Sequence, residues 1–148
     1  MIALASDHAG LPLKRTIMKH LDELGLGYHD YGTYTEDSVH YPEYGVKAAE
    51  AVAKGECEKG IIFCGTGVGI SISANKVKGI RCVNCSEPYS AQMSREHNNA
   101  NMLSLGARVV GDDLAKMIVD VWLNSNYQSG RHQIRVDQIN KLDEDGTV

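Results

Sequence analysis

One short segment combines a reactive side chain with a backbone suited to binding an anion. It follows an apolar run, precedes a stretch of helical character at residues 70–76, and consists of Cys64, Gly65, Thr66, Gly67, Val68 and Gly69. Alternating glycines let the backbone approach a ligand closely, and the unpaired amides at a helix start attract negative charge. The spacing is G-x-G-x-G, without the G-x-G-x-x-G or Gly-Lys-Ser/Thr patterns of nucleotide-binding loops. The fragment fits an anion cradle, and it also fits an ordinary glycine-rich turn.

Cys64 is a candidate base or nucleophile. A thiol at a strand end that faces a helix N-terminus has its thiolate stabilised by the amides and the helix dipole. Cysteine is also among the residue types most often buried as a small apolar side chain. The residues alone therefore leave Cys64 either catalytic or structural.

Two other polar segments flank apolar runs. Asp7 and His8 follow the first run, and a buried aspartate is costly unless it binds a ligand hydroxyl or orients a neighbour. Residues 95–101 read Arg-Glu-His-Asn-Asn-Ala-Asn ahead of another run, so that His97 could act as an acid or base. Surface decoration and a polar loop capping a helix are the alternatives for these two segments.

Arginines could supply a phosphate site. Arg131 and Arg135 are four residues apart, so a helix would place both guanidinium groups on one face. Paired arginines suit a phosphate dianion, although a solvated basic face has the same pattern. Arg108, after the last apolar run, is a further candidate.

The order of elements predicts how these residues are positioned. Short apolar runs alternate with amphipathic segments, which is typical of βα units and a parallel sheet. The predicted strands are residues 2–6, 27–30, 60–64, 80–84 and 102–105. Together they predict an α/β fold, a three-layer α/β/α sandwich with a Rossmann-like five-stranded parallel sheet. In such sheets ligands bind beyond the carboxyl ends of the strands, where Asp7 and Cys64 fall.

Helical periodicity predicts two core-facing stripes. The first comprises Leu13, Ile17, Leu21 and Leu24, and the second comprises Leu114, Ile118, Val121 and Trp122. Asp112 and Asp113 suit the start of the second helix. A last amphipathic segment at about 131–142 is expected to pack on a partner subunit, and the 148 residues predict a single domain.

Bulk composition excludes several classes of function. The chain is 43% hydrophobic and 23% charged, as ordinary globular proteins are. A formal net charge of −4 gives no reason to expect nucleic acid or anionic lipid as a partner. The N-terminus has neither a basic signal-peptide region nor a membrane span, so we expect a cytoplasmic protein.

The four cysteines do not predict a metal site. Cys82 and Cys85 form a single C-x-x-C without a second pair or matching histidines. Their odd spacing in a strand points them to opposite faces of the sheet. We interpret them as structural thiols and predict that they hold no metal.

Several of these segments together resemble the ribose-5-phosphate isomerase B and galactose-6-phosphate isomerase family. They are residues 6–10 (Ser-Asp-His-Ala-Gly), Tyr41-Pro42, residues 64–69 with 74–76 (Ala-Asn-Lys), and residues 95–101. They occur in the family's order and span nearly the whole chain. The resemblance implies cofactor-free interconversion of ribose 5-phosphate and ribulose 5-phosphate through a cis-enediolate, in the non-oxidative pentose phosphate pathway.

The resemblance also implies residue roles. Cys64 takes the base role, which a glutamate elsewhere fills in relatives lacking this cysteine, and residues 65–69 hold the enediolate oxygen. His97, assisted by Thr66, opens the furanose ring. Sugar hydroxyls bind Asp7 and Asn98, and the phosphate binds His8, Arg108, Arg131 and Arg135.

The resemblance further implies a site shared between two subunits. The segment with His97 and Asn98 comes from the partner, which predicts an obligate homodimer or a dimer of dimers. The nearest alternative is a hexose 6-phosphate isomerase, for allose or galactose, of the same family. An alternative of another class is a nucleotide- or flavin-binding module without chemistry at Cys64.

Overall fold

A computed structural model describes residues 1–147 of the chain. The apolar runs form five strands, and the segments between and after them form six helices within these residues. In chain order they are β1 (Ile2–Ser6), α1 (Leu11–Glu23), β2 (Tyr28–Asp30), α2 (Tyr41–Ala53), β3 (Lys59–Cys64), α3 (Val68–Ala74), β4 (Cys82–Asn84), α4 (Pro88–Asn98), β5 (Met102–Gly106), α5 (Asp112–Asn124) and α6 (Gly130–Asp145).

The strands form one parallel sheet in the order β2-β1-β3-β5-β4. The chain leaves β1 toward β2 on one side and returns to place β3 on the other side. The strand order therefore reverses between β1 and β3, and their carboxyl ends flank the crevice where open parallel sheets bind ligands. The predicted α/β sandwich is confirmed.

Alternation along the strands divides the core between two faces. One cluster joins odd-numbered β3 residues such as Ile61 and Phe63 to apolar side chains of α1, α4 and α5. The other joins Ile62 and Cys64 to side chains of α2 and α3. Each helix layer thus buries one face of the central strands, which explains their continuous apolar runs.

Several predicted boundaries need correction. Strand β2 begins at Tyr28 rather than at residue 27, and β4 begins at Cys82 rather than at residue 80. The Ile80 amide donates to the Val77 carbonyl, so residue 80 closes a turn after α3. Strand β3 begins one residue earlier than predicted, and β5 ends one residue later.

Two predicted core positions are also wrong. Leu24 is 50% exposed because α1 ends at Glu23, and Gly25 follows with a positive φ of 71°. Leu114 is 36% exposed and lies outside the core of α5. Helix α5 begins at Asp112 as predicted, but Val121 is only half-buried and belongs to neither core cluster. Helix α3 spans Val68–Ala74 rather than residues 70–76, and α6 spans Gly130–Asp145 rather than about 131–142.

The C-x-x-C cysteines lie on opposite faces, as predicted. Cys85 belongs to the cluster with α1 and α5, whereas Cys82 packs against the cluster with α2 and α3. Burial raises the pKa of Cys85 to about 11 and that of Cys82 further. Among residues 1–147, no helix is long and apolar enough to cross a bilayer.

A buried ion pair fixes the end of β1. The Lys14 side chain is fully buried, and its Nζ donates to Asp30 Oδ1 at 2.7 Å and to the Thr33 carbonyl at 2.6 Å. Burial lowers the pKa of Lys14, and Asp30 opposes that effect. Backbone bonds join Ser6 N to the Gly32 carbonyl and Thr33 N to the Ser6 carbonyl. Lys14 therefore holds the segment after β2 against the residue that precedes Asp7.

We expect Lys14→Met to destabilise the fold by about 3 kcal/mol, because it leaves Asp30 without its partner. Urea unfolding followed by circular dichroism at fixed protein concentration measures this. Lys47→Met is the matched control, since Lys47 pairs with Glu43 at 3.1 Å on the exposed face of α2 and should cost under about 0.5 kcal/mol. Equal losses in the free energy of unfolding of the two variants would contradict a structural role for the Lys14–Asp30 pair.

Candidate active site

A cavity of about 390 Å³ opens at the carboxyl ends of β1 and β3. It lies where the strand order reverses, as ligand sites in open parallel sheets do. Its lining consists of Asp7, His8, Ala9, Tyr41, Cys64, Gly65, Thr66, Val68, Gly69 and Arg108. The structure thus brings together most of the predicted site residues.

Cys64 ends β3 and points toward the α2 and α3 layer. This direction continues the alternation of β3, and it turns the thiol toward the loop that begins α3. The Gly67 amide donates to Cys64 Sγ at 3.1 Å, and only 4% of the residue is exposed. The sulfur is therefore sheltered from solvent and faces a main-chain donor at the edge of the cavity, a position in which it could take a proton from a bound ligand.

The loop needs glycine at Gly67. Its φ is +81°, in the left-handed region, and a Cβ there would lie 2.5 Å from Asn84 Oδ1 and 3.0 Å from Ser104 Oγ. Ser104, fully buried on β5, donates its hydroxyl to the Gly67 carbonyl. Because the peptide is planar, this bond also fixes the direction of the Val68 amide.

Backbone contact with β5 closes the other side of the loop. A Cβ on Gly106 would meet the Thr66 carbonyl oxygen at 2.5 Å. The Thr66 hydroxyl accepts from the Val68 amide at 3.1 Å. Two of the amides predicted to bind a ligand, those of Gly67 and Val68, therefore already have acceptors within the loop.

Asp7 and His8 are held by backbone donors. Asp7 Oδ1 accepts from the Gly10 amide at 2.8 Å, and His8 Nδ1 accepts from the Val39 amide at 3.1 Å. Since Nδ1 accepts, the proton of a neutral His8 ring is on Nε2, which remains a donor. Both side chains are thus oriented by the main chain rather than by each other.

Arg108 and Tyr41 complete the lining. Arg108 is exposed, and its amide donates to the Gly65 carbonyl at 3.0 Å. Tyr41, the first residue of α2, was given no role from the sequence, although Tyr41-Pro42 marks a helix start. A helix predicted to begin at Tyr41-Pro42 would have placed the Tyr41 ring at the edge of the sheet where Cys64 lies.

Four predicted site residues lie elsewhere on the chain. His97 and Asn98 are in the last turn of α4, and Arg131 and Arg135 are in the first turns of α6. His97 stacks on His132 with ring centroids 4.2 Å apart and planes 13° apart. Desolvation lowers the pKa of His132, and the charges of His97, Arg131 and Arg135 add to this effect. These residues form a cationic cluster outside the cavity at Cys64.

Helix α6 packs against its own chain. Val136 is buried, Asn140 Oδ1 accepts a hydrogen bond from Arg81 Nη1, and the Asp143 carboxylate accepts one from the Gly79 amide at 2.8 Å. Between α6, α4 and β4 lies a larger cavity of about 480 Å³, with Asn98 and Leu142 in its lining. Its accessible surface is mostly apolar, although Arg81 and Asp143 also line it.

Comparison with known proteins places the chain in a family. The sequence profile described as Ribose/Galactose Isomerase matches residues 2–139. The chain belongs to the ribose/galactose isomerase family. It is 54% identical over 143 residues to ribose-5-phosphate isomerase B of Escherichia coli, covering 97% of this chain and 96% of that protein.

A solved structure and a second relative extend this comparison. Ribose-5-phosphate isomerase B of Clostridium thermocellum superposes with a TM-score of 0.97 at 53% identity, covering 99% of each chain. D-erythrulose-4-phosphate isomerase of Pectobacterium atrosepticum is 42% identical over 139 residues, covering 93% of this chain and 91% of that protein. Family members thus carry names that refer to different sugar phosphates.

We expect Gly67→Ala to inactivate the site while the sheet still folds. The left-handed φ and the clash with Asn84 must shift the loop, and a 1 Å displacement of such a site costs roughly 100-fold in rate. Gly55→Ala is a matched control, since Gly55 also has a positive φ, of 78°, but open space around it. Turnover assays with circular dichroism spectra check both, and equal activity losses would be inconsistent with a local effect.

Proposed function

We propose that this chain is a ribose-5-phosphate isomerase that interconverts ribose 5-phosphate and ribulose 5-phosphate. The observation that carries the proposal is Cys64 at the start of a glycine-rich anion cradle, with Asp7 and His8 in the same cavity. The 54% identity to a ribose-5-phosphate isomerase B over nearly the whole chain supports the sugar.

Cys64 is the base in this proposal. Its thiolate takes the proton from C2 of the open-chain aldose, and the electron pair forms the C1–C2 double bond while O1 takes the negative charge. The thiol then returns the proton to C1, and the proton of the C2 hydroxyl moves to O1. In this cycle the Gly67 amide, 3.1 Å from Sγ, donates a hydrogen bond to the sulfur that takes and returns the proton.

The loop that follows Cys64 stabilises the enediolate. Donors held in place before the reaction act most strongly on charge that develops in the transition state, and one such donor is worth about 3 kcal/mol. The Val68 amide is directed by the bond between Ser104 and the Gly67 carbonyl. It exchanges its Thr66 acceptor for the substrate oxygen, which frees the Thr66 hydroxyl to act elsewhere.

The freed Thr66 hydroxyl assists His97 in opening the furanose ring, because the cyclic sugar has no carbonyl to enolise. Asp7, whose second carboxylate oxygen is available, and Asn98 bind sugar hydroxyls. The phosphate binds His8 through Nε2, together with Arg108, Arg131 and Arg135. These local cations reconcile an anionic substrate with a net charge of −4.

A homodimer assembles this set, because His97, Asn98, Arg131 and Arg135 lie outside the cavity at Cys64 within one chain. Exposed apolar side chains beside the cradle support a partner there. On α3, Val68 is 48% exposed and Ile72 is 56% exposed. We place the enzyme in the cytoplasm, where phosphorylated sugars are retained.

A side-by-side assay of the pure protein tests the substrate. Ribose 5-phosphate, allose 6-phosphate and galactose 6-phosphate are compared at equal concentration, and kcat/KM should be highest for ribose 5-phosphate. A preference for either hexose phosphate would favour the hexose alternative. Failure to convert all three would refute the isomerase proposal.

Cys64→Ala should abolish isomerisation and leave binding of sugar phosphate largely intact, because the thiol contacts only the proton in transfer. Isothermal titration with ribose 5-phosphate and exchange of the C2 proton with solvent deuterium measure the two properties. Cys57→Ala is the control, since Cys57 is also buried but lies away from the cavity. Near-normal turnover in Cys64→Ala would refute the proposal that Cys64 is the base.

The shared site predicts complementation between two inactive variants. Cys64→Ala and His97→Asn, refolded together, form heterodimers in which one of the two sites has both intact residues. Random pairing should restore about a quarter of wild-type activity, since half of the dimers are mixed. If one chain supplied both residues, no mixture would regain activity.

A further inference from the structure

Arg81, directly before β4, is tied to the end of α4 by its side chain. Its Nε donates to the Asn98 carbonyl at 3.1 Å, and its Nη2 donates to the Asn99 carbonyl at 2.8 Å. The last carbonyls of a helix lack partners within the helix and carry its negative end. A guanidinium group satisfies two of them at once and keeps its positive charge at that end.

The same side chain reaches α6. Arg81 Nη1 donates to Asn140 Oδ1 at 3.0 Å, so one planar group joins α4 to α6. The main chain of Arg81 is also held in place. Its amide donates a hydrogen bond to Asn101 Oδ1 at 2.8 Å, and its carbonyl accepts one from the Asn101 amide at 3.1 Å. Burial lowers the pKa of Arg81, which nevertheless remains a cation at neutral pH.

His97 precedes the anchored carbonyls by one turn or less. Asn99 ends the helix in the left-handed conformation with φ of 46°, which only a few residue types adopt. The Gln128 amide donates to the Glu96 carbonyl at 2.9 Å, and His132 stacks on His97. The direction of the His97 ring therefore depends on how α4 ends against α6, and Arg81 sets that arrangement.

We propose that Arg81 is a positioning residue for His97, holding the end of α4 so that His97 is presented correctly for opening the sugar ring. The inference rests on the proposed function, in which His97 performs that step. Arg81 itself touches main chain and Asn140 and takes no part in proton transfer.

Comparing conversion with proton exchange gives a readout that a purely structural role would not move. Ribose 5-phosphate is mainly a furanose, so its conversion needs ring opening. Ribulose 5-phosphate has its C5 oxygen phosphorylated, so it cannot close a furanose ring and enters the site open, and exchange of its C1 proton with solvent deuterium needs only enolisation. A weakened phosphate site lowers conversion and exchange together, whereas a misplaced His97 lowers conversion alone.

The test compares conversion of ribose 5-phosphate with proton exchange in ribulose 5-phosphate for wild type and Arg81→Lys, which keeps the charge but cannot donate to both carbonyls and Asn140. We expect kcat for conversion of ribose 5-phosphate to fall roughly 10- to 100-fold, and the rate of C1 proton exchange in ribulose 5-phosphate to change less than about threefold. Arg15→Lys is the matched control, because Arg15 donates to the Tyr34 carbonyl on the exposed side of α1. It should leave both rates unchanged.

Asn140→Ala keeps the proposal testable if Arg81→Lys does not fold, since it removes only the bond to α6. We expect a smaller loss of conversion, with proton exchange again spared. Equal losses of conversion and exchange, or no loss in a folded Arg81→Lys, would overturn the positioning role. A wild-type protein inactive on both sugars would instead overturn the proposed function and this inference with it.

Discussion

Contact between backbones at the carboxyl edge of the sheet is the constraint on which the rest of the site depends. The turn after β3 passes so close to β5 that Gly67 and Gly106 leave no room for a Cβ. This approach puts the Gly67 amide on the Cys64 sulfur and the Gly67 carbonyl on the Ser104 hydroxyl. One glycine turn thus sets the environment of the thiol and the direction of the amides together, and a larger side chain there would disturb both.

The chain carries two polar regions that differ in chemistry. The cavity at Cys64 combines a thiol, a carboxylate and backbone donors, whereas the cluster around His97 and His132 is cationic. Desolvation lowers the pKa of His132, and the charges of His97, Arg131 and Arg135 add to this effect. In the proposed function the phosphate of the substrate meets this cluster, so that opposite charges face each other there.

The sequence predicted the parts of the structure that follow from local rules. Hydrophobic runs predicted the five strands, and the rule for open parallel sheets predicted that Asp7 and Cys64 lie at the same carboxyl edge. The exposure of Leu24 and Leu114 was not predictable, because helix termination and packing decide it. Tyr41 was assigned no role and Ser104 was not identified, because a single polar residue at a helix start or in an apolar strand does not show from its spacing what it contacts. Their positions depend on which strands become neighbours, and that is a property of the whole sheet.

Two cations, the fully buried Lys14 and the half-buried Arg81, support both regions in the same way. Lys14 bonds the Thr33 carbonyl beside the end of β1, and Arg81 bonds two carbonyls at the end of α4. A cation that donates hydrogen bonds to main-chain carbonyls fixes a segment that has no strand partner. The free-energy cost of removing the cation from water is offset only while that segment stays in place. Each of these segments adjoins residues with chemical roles in the proposal, Asp7 and His8 in one case and His97 in the other. Side chains on unsupported loops would be mobile. The two cations therefore fix the positions of Asp7, His8 and His97, as the sheet itself fixes the position of Cys64.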